Sequence, residues 1–406
     1  MNNFKSWWNV SIASLAANSV RTLFNLLHIV IDSVHLFKRT PDSQGIQTNL
    51  IIRTDAIGDF FVWIDSAKAL RKLYPEGKYK MVLVANEAWA ELAGYLHTFD
   101  EIIPLNRNLF KKNIVYRFRI LSRIRNQMYS SVIHPIYFRE IIYGDSIVRV
   151  AQGKEKVGYQ CEKYPIETKF WRYVGDQWYT RIIPEPSPSI TEYGKNELFV
   201  CQLGLTDYKA SIGDIQIPSS DLAHLPKDYY VLFPGARVGK RQWPTENFIV
   251  LASRIYQETG WACVICGSGS EALIGEKIKS KVTCPVINIA GKTPMLDLLN
   301  IIKSAKLLIG NETSGVHIAA VMKTPSVCIL GGGHFGKFVP YPFGESEYPY
   351  VPRAVFHKMH CFGCNWRCKY SFSYSKPVPC IEKVQIDHAF EEVKKLILEI
   401  DLQHNT

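Results

Sequence analysis

The chain has 406 residues, of which 47% are hydrophobic and 21% charged. At about 150 residues per domain this suits two domains with extra segments, and the composition excludes a disordered or low-complexity chain. The net charge of +11 calls for an anionic partner, whether nucleic acid, phosphorylated substrate or membrane surface, and ten cysteines are too sparse for a disulfide scaffold.

The most apolar stretch, Leu23 to Phe37, is shorter than the ~20 residues that a helix needs to cross a bilayer. Asn25, His28, Asp32 and His35 recur within it at helical spacing, so they form one polar stripe on an otherwise apolar helix. Trp7 and Trp8 precede it, where an interfacial belt is expected. The helix therefore either packs on the protein's own body or lies in a membrane interface. No signal peptide is expected, because no compact apolar run and cleavage site follow the amino-terminal Lys5.

Thr40 to Gln47 reads as a linker. From Asn49 onward, strands and helices alternate in βαβ rhythm, which predicts a mostly parallel sheet. LIIRT is a buried strand, and GDFFVWIDSAKALRKLYP a helix stopped at Pro75. YKMVLVA, DEIIPL and SSVIHP are further strands, with a helix around Glu87 to Leu96 and a basic helix before the last. Gln160 to Pro188 looks irregular, and a helix near Ile190 to Leu203 leads to a loop ending at Pro226, where the domain boundary is expected. The rhythm then restarts at DYYVLFPGA and continues to TPSVCILGG. A Cys-containing loop and a last helix from Val384 to Leu402 complete the chain. The predicted organisation is an amino-terminal helical extension (1–48), two Rossmann-like domains (49–220 and 221–380) facing across a cleft, and a carboxyl-terminal helix (381–406).

Four segments carry chemistry. In RTDAIGD, Gly58 permits a tight turn and Asp59 stands at a helix start, either as an N-cap or as a general base. In FPGARVGKRQWP, Arg237, Lys240 and Arg241 ride a strand-to-helix loop, which suits a diphosphate or simply a solvated basic loop. CGSGSE offers a Gly-rich turn with Glu271. In IGNETSGVHIAAVMKTP a helix begins within Thr313 to Gly315, and its free N–H groups can bind phosphate.

Together these segments resemble glycosyltransferase family 9, the heptosyltransferase-like enzymes of lipopolysaccharide core synthesis, over roughly Asn49 to Leu398. The matching positions are Arg53, Gly58, Asp59, Tyr74 and Pro75; Pro234 to Ala236 with Lys240, Arg241, Trp243 and Pro244; Ala290 to Thr293; and Gly310, Asn311, His317, Ala319, Ala320, Thr324 and Pro325. Glu312 stands where the family often has Asp, and Thr313-Ser314-Gly315 replaces its usual order. The resemblance implies an α/β GT-B fold and an inverting, metal-independent glycosyl transfer from a nucleotide sugar such as ADP-heptose to an anionic glycolipid. Asp59 would be the base. Arg237, Lys240 and Arg241 would hold the diphosphate and Glu271 the ribose. Lys292 and Thr293 would lie by the nucleobase. Glu312, Thr313, Ser314, Gly315 and His317 would surround the sugar and phosphates. Such an enzyme would work in the cytoplasm, at the inner face of the inner membrane.

Two features fall outside these motifs. Arg107, Lys111, Lys112, Arg117, Arg119, Arg123 and Arg125 occur with no acid between Ile102 and Arg139, which suits an anionic acceptor or a solvated helix face. No recognition motif accompanies them, so nucleic acid is not expected as a partner. Cys361, Cys364, Cys368 and Cys380 have the spacing of a structural zinc site, and disulfides or free thiols are the alternatives. Two other readings of the whole chain remain open at this point: a basic, zinc-containing nucleic-acid-binding protein, and a GT-B-shaped binding protein without catalysis.

Overall fold

The computed structural model describes residues 20, 22–37, 46–160, 166–184, 186–187, 190–344, 349–370 and 376–404. Trp7, Trp8 and most of the expected linker lie outside them. The chain divides into two compact units.

The first unit holds a six-stranded parallel sheet made of β1 (Gln47–Arg53), β2 (Tyr79–Asn86), β3 (Glu101–Leu105), β4 (Met128–His134), β5 (Gln152–Tyr159) and β6 (Arg181–Ile183), in the order β3-β2-β1-β4-β5-β6. Parallel strands need crossovers, and α2 (Ile57–Leu73), α3 (Glu87–Gly94), α4 (Arg107–Lys112) and α5 (Ile114–Arg125) supply part of them. The middle of each central strand is apolar because helices cover both faces: Leu50, Ile51 and Ile52 are fully buried, as are Val82, Leu83 and Val84. The expected single basic helix is two, since Asn113 ends α4 and caps α5 by accepting from the Tyr116 N–H. Four elements were not expected: β5, β6, α6 (Ser146–Val150) and α7 (Ile166–Asp176).

The second unit repeats the plan. β7 (Tyr229–Phe233), β8 (Ala262–Ile265), β9 (Val286–Asn288), β10 (Leu308–Asn311), β11 (Ser326–Ile329) and β12 (Arg353–Val355) pair in the order β12-β11-β10-β7-β8-β9. α9 (Thr245–Thr259), α10 (Ala272–Lys279), α11 (Met295–Ser304), α12 (Ser314–Val321), α13 (Pro379–Glu382) and α14 (Ile386–His404) belong with it. Both sheets run outward from a central strand and then restart on its other side. That reversal leaves a crevice beyond the carboxyl ends of β1 and β4, and of β7 and β10, where doubly wound sheets bind ligands.

The division is not a single cut near residue 220. Ile57–Ala67, at the start of α2, and Ser187–Glu197, at the start of α8 (Glu192–Leu203), pack with the second unit.

The amino-terminal helix α1 (22–33), prolonged as a 3-10 turn over Val34–Phe37, lies on the first unit with its polar stripe inward. Asn25, His28, Asp32 and His35 are all buried. Asp32 receives two hydrogen bonds from the Arg117 guanidinium, at 2.7 and 2.5 Å, with both side chains 1% exposed. Arg149 donates to the Ile29 carbonyl and Arg125 to that of Leu36. No helix among the described residues is long and apolar enough to cross a membrane.

Removing one partner of a buried ion pair leaves the other charge stranded. Asp32→Ala should therefore cost ~3–5 kcal/mol in urea unfolding of the whole chain, whereas Leu27→Ser on the exposed face should stay within ~0.5 kcal/mol. A loss below ~1 kcal/mol for Asp32→Ala would mean that α1 is not docked through this pair.

Candidate functional site

The crevice at the end of β7 and β10 is assembled by Asn311, the last residue of β10. Its side chain is fully buried. Its Oδ1 accepts from the Trp243 N–H at 2.9 Å, and its Nδ2 donates to the carbonyls of Pro234 (2.8 Å) and Gly235 (3.2 Å). One amide thus holds both ends of the basic loop that follows β7. Gly310 makes the close approach feasible, because a Cβ there would stand 2.7 Å from Phe233 Cβ.

Held this way, Arg241 meets Glu312. Its Nη2 lies 3.3 Å from Glu312 Oε2 and 3.4 Å from the Glu312 carbonyl, and its guanidinium stacks 4.6 Å from the Trp366 ring centroid. Burial pushes the Glu312 carboxyl up to about 7, and Arg241 only partly opposes this. A carboxyl poised there can either accept or donate a hydrogen bond near neutrality. Arg241 Nε, Glu312 Oε1 and Thr313 Oγ1 are buried without a hydrogen-bond partner among the described residues. Buried polar atoms are normally paired, so three in one place mark a site shaped for a polar ligand.

α12 starts beside them. Thr313 is its N-cap in extended conformation and makes no side-chain cap bond, which leaves the first N–H groups of the helix for an anion. His317 lies one turn in, buried, with Nδ1 2.7 Å from Tyr341 Oη and its ring stacked on Tyr341. Burial pulls its pKa down to about 4, so it is neutral at physiological pH. His334, after β11, is driven down to about 3 by burial and then by Arg241, Lys337 and Lys195. Lys195 is paired with Glu192 at 2.9 Å and Arg241 with the partly protonated Glu312, which leaves a smaller positive excess around His334.

The start of α2 packs against the start of α12. A Cβ on Gly58 would lie 3.3 Å from His317 Cδ2 and 3.7 Å from Ser314 Cα. Asp59 is the next residue, half-buried in the first turn. It is not the N-cap: Ala56 holds that position. A carboxylate in the first turn is stabilised by the helix dipole, and here it follows the glycine that packs on the start of α12.

Other expected residues are placed less centrally. Arg237 and Lys292 are exposed, and Thr293 Oγ1 donates to the Ile289 carbonyl. Lys240 donates to the Trp366 carbonyl. The Glu271 carboxylate is engaged within its own turn as half of a capping box, accepting from the Ser268 N–H at 2.6 Å. It also packs on Gly235, where a Cβ would come within 2.1 Å of Oε1. Sequence reasoning did not single out Trp366, His334 or Tyr341. Of these, only His334 had a signal, in the Gly331-Gly332-Gly333 run after a strand.

The four clustered cysteines are free thiols. Burial raises the Cys380 thiol, and nearby Cys364, Cys361 and Cys368 raise it further. Among the described residues, no group of three or more His, Cys, Asp or Glu is arranged to hold a metal ion.

Residues 191–348 match the family model glycosyltransferase family 9 (heptosyltransferase). Lipopolysaccharide heptosyltransferase 3 of Escherichia coli K12 is 32% identical over 108 residues, which is 26% of this chain and 31% of that relative's length. An Escherichia coli protein of the same name is 22% identical over 290 residues, covering 68% of this chain and 80% of the relative. The solved structure of E. coli ADP-heptose lps heptosyltransferase II superposes with a TM-score of 0.66 at 16% identity, covering 87% of this chain and all of that one. The twin six-stranded parallel sheets are those of the GT-B fold of these glycosyltransferases.

Two buried groups titrate in opposite senses. The folded state keeps a proton on Glu312 that the unfolded state loses above pH 4.5, so this group makes stability fall between pH 4.5 and about 7. His317 takes its proton only near pH 4 when folded, so its contribution is lost as pH falls below 6.5. Glu312→Gln removes the first effect alone. The variant should therefore gain on wild type by on the order of 1–3 kcal/mol between pH 4.5 and about 7, read by urea unfolding. A gap independent of pH would show Glu312 titrating normally.

Proposed function

We propose that this chain, a glycosyltransferase family 9 protein by the domain it carries over residues 191–348, transfers a sugar with inversion from a nucleoside diphosphate sugar, ADP-heptose in the first instance, to a lipopolysaccharide-core type of glycolipid. The observation that carries the reading is the convergence of Arg241, Glu312 and the α12 start, with Asp59 on the adjoining helix turn. The named donor of the similar heptosyltransferase II supports the choice of ADP-heptose.

Arg241 and the free N–H groups of α12 would bind the diphosphate and stabilise the charge that it gains on leaving. Lys240 and Arg237 would add positive field. Glu312, near half-protonated at neutral pH, would hydrogen-bond the donor without the full repulsion of a carboxylate against phosphate. Asp59 would take the proton of the acceptor hydroxyl as its oxygen forms the bond to the anomeric carbon and the bond from that carbon to the diphosphate oxygen breaks. Glu271 would serve the ribose only after releasing its capping contact.

The acceptor side draws on the basic segment of the first unit, where an anionic core would be met at the cytoplasmic face of the inner membrane. Nucleic acid is disfavoured as a partner, since Arg117, Arg107 and Arg123 are committed to Asp32, Glu140 and Glu101. The structural zinc expected at Cys361, Cys364, Cys368 and Cys380 is not part of this reading, since no three of them are arranged to hold a metal ion.

Asp59→Asn keeps the size but cannot accept the proton. It should lose roughly 10²–10⁴-fold in turnover and retain the thermal stabilisation that ADP gives the wild type. Arg241→Ala should instead weaken ADP binding by ~1–3 kcal/mol. Turnover of Asp59→Asn within a few-fold of wild type would remove Asp59 as the base.

A further inference from the structure

The amino-terminal helix is amphipathic in the reverse of the usual sense. A helix on a protein surface normally turns its apolar stripe inward. Here the polar stripe is buried, and Leu23, Leu27, Val30, Val34 and Phe37 are 70, 52, 66, 60 and 88% exposed. These five recur at spacings of four and three, so they form one continuous ridge. The buried ion pair between Asp32 and Arg117 and the bond from Arg149 to Ile29 fix the ridge outward.

The ridge does not stand alone. α4 and α5 lie beside it, with His28 Nε2 3.0 Å from the Lys111 carbonyl of α4 and the His35 ring 4.5 Å from that of Phe118 on α5. Ile114, Val115 and Phe118 of α5 are 54, 67 and 47% exposed. Contiguous exposed apolar surface of this extent marks an interaction site.

The charge around the ridge selects the occupant. Lys111, Lys112 and Arg119 are exposed on α4 and α5, and the sequence has no acid from Ile103 to Phe138. Lys112 and Arg119 join no ion pair among the described residues. A second copy docked ridge to ridge would bring two such cationic rows together. A bilayer containing anionic phospholipid answers both halves of the surface, burying the apolar ridge at the acyl boundary and pairing the cations with headgroup phosphates.

We infer that α1, with the flank of α5, is a membrane-docking face for anionic phospholipid, seated through Leu23, Leu27, Val30, Val34 and Phe37 and steered by Lys111, Lys112 and Arg119. The inference deepens the proposed function, on which it rests for why the enzyme would need to sit at a lipid surface. Vesicle binding is measured without donor or acceptor, so its failure is distinct from failure of sugar transfer.

The test is co-sedimentation of the full chain with vesicles of phosphatidylglycerol and phosphatidylethanolamine, compared with phosphatidylcholine alone. Wild type should partition onto the anionic vesicles. Leu27→Glu/Val30→Glu and, separately, Lys112→Glu/Arg119→Glu should each lower that partitioning roughly tenfold or more, with thermal unfolding unchanged because all four side chains are exposed. No binding to either vesicle, or equal binding by wild type and both variants, would overturn the proposal. So would a wild-type oligomer in sedimentation velocity that Leu27→Glu/Val30→Glu dissociates while vesicle binding stays intact, since the ridge would then be a contact between copies.

Discussion

The buried side chain of Asn311 is the constraint on which the candidate site depends. A primary amide has two donors and an acceptor with two lone pairs, and Asn311 spends them on the two ends of the loop from Pro234 to Trp243. A fully buried amide must be satisfied or it costs ~1–3 kcal/mol, so the loop is held to one path. That path delivers Arg241 to Glu312 and leaves the α12 start open beside them. Trp243 reinforces it from below, with its indole N–H donating to the Val384 carbonyl and its ring packed edge-on to Phe248.

Electrostatics then decides what the site can hold. Burial leaves Glu312 only about half-ionised at neutral pH and keeps His317 neutral, so they oppose only in part the positive field of Arg241, Lys337 and Lys195 that holds down His334. A desolvated, net-positive crevice at a helix start suits a phosphate group. The aromatic wall of Trp366 backs Arg241 and fixes its plane. The Cys-containing loop therefore contributes to the site through Trp366, which packs on Gly333 and accepts from Lys240 through its carbonyl.

The long apolar strands and the helices stopped by Pro or Gly were legible because local pattern and tertiary role agree there. β2 and β7 carry the buried apolar runs MVLVA and YYVLF, and β1 and β10 the shorter runs LII and LIG. β5, β6 and β12 were not. β5 carries Lys154, Glu155 and Lys156 within its eight residues, and β6 and β12 have three residues each, too few to show a period. α10 was hidden because the 3-10 turn Gly269–Glu271 before it, with its capping box at Ser268 and Glu271, resembles a Gly-rich nucleotide turn. The polar stripe of α1 was visible as spacing, but which way it faced depends on Arg117 and Arg149, far along the chain. The donor-side motif residues were legible as types, whereas the Asn311 clamp was not, since an Asn at a strand end more often signals a turn.

The central claim is inverting transfer from a nucleoside diphosphate sugar, and anomeric NMR of the product tests it most directly. The full chain would be incubated in magnesium-free buffer with ADP-heptose and a delipidated core oligosaccharide. The account predicts an acceptor extended by one heptose, with the new linkage opposite in configuration to the donor and one ADP released per linkage. A linkage of retained configuration, or ADP released with the acceptor unchanged, would contradict it.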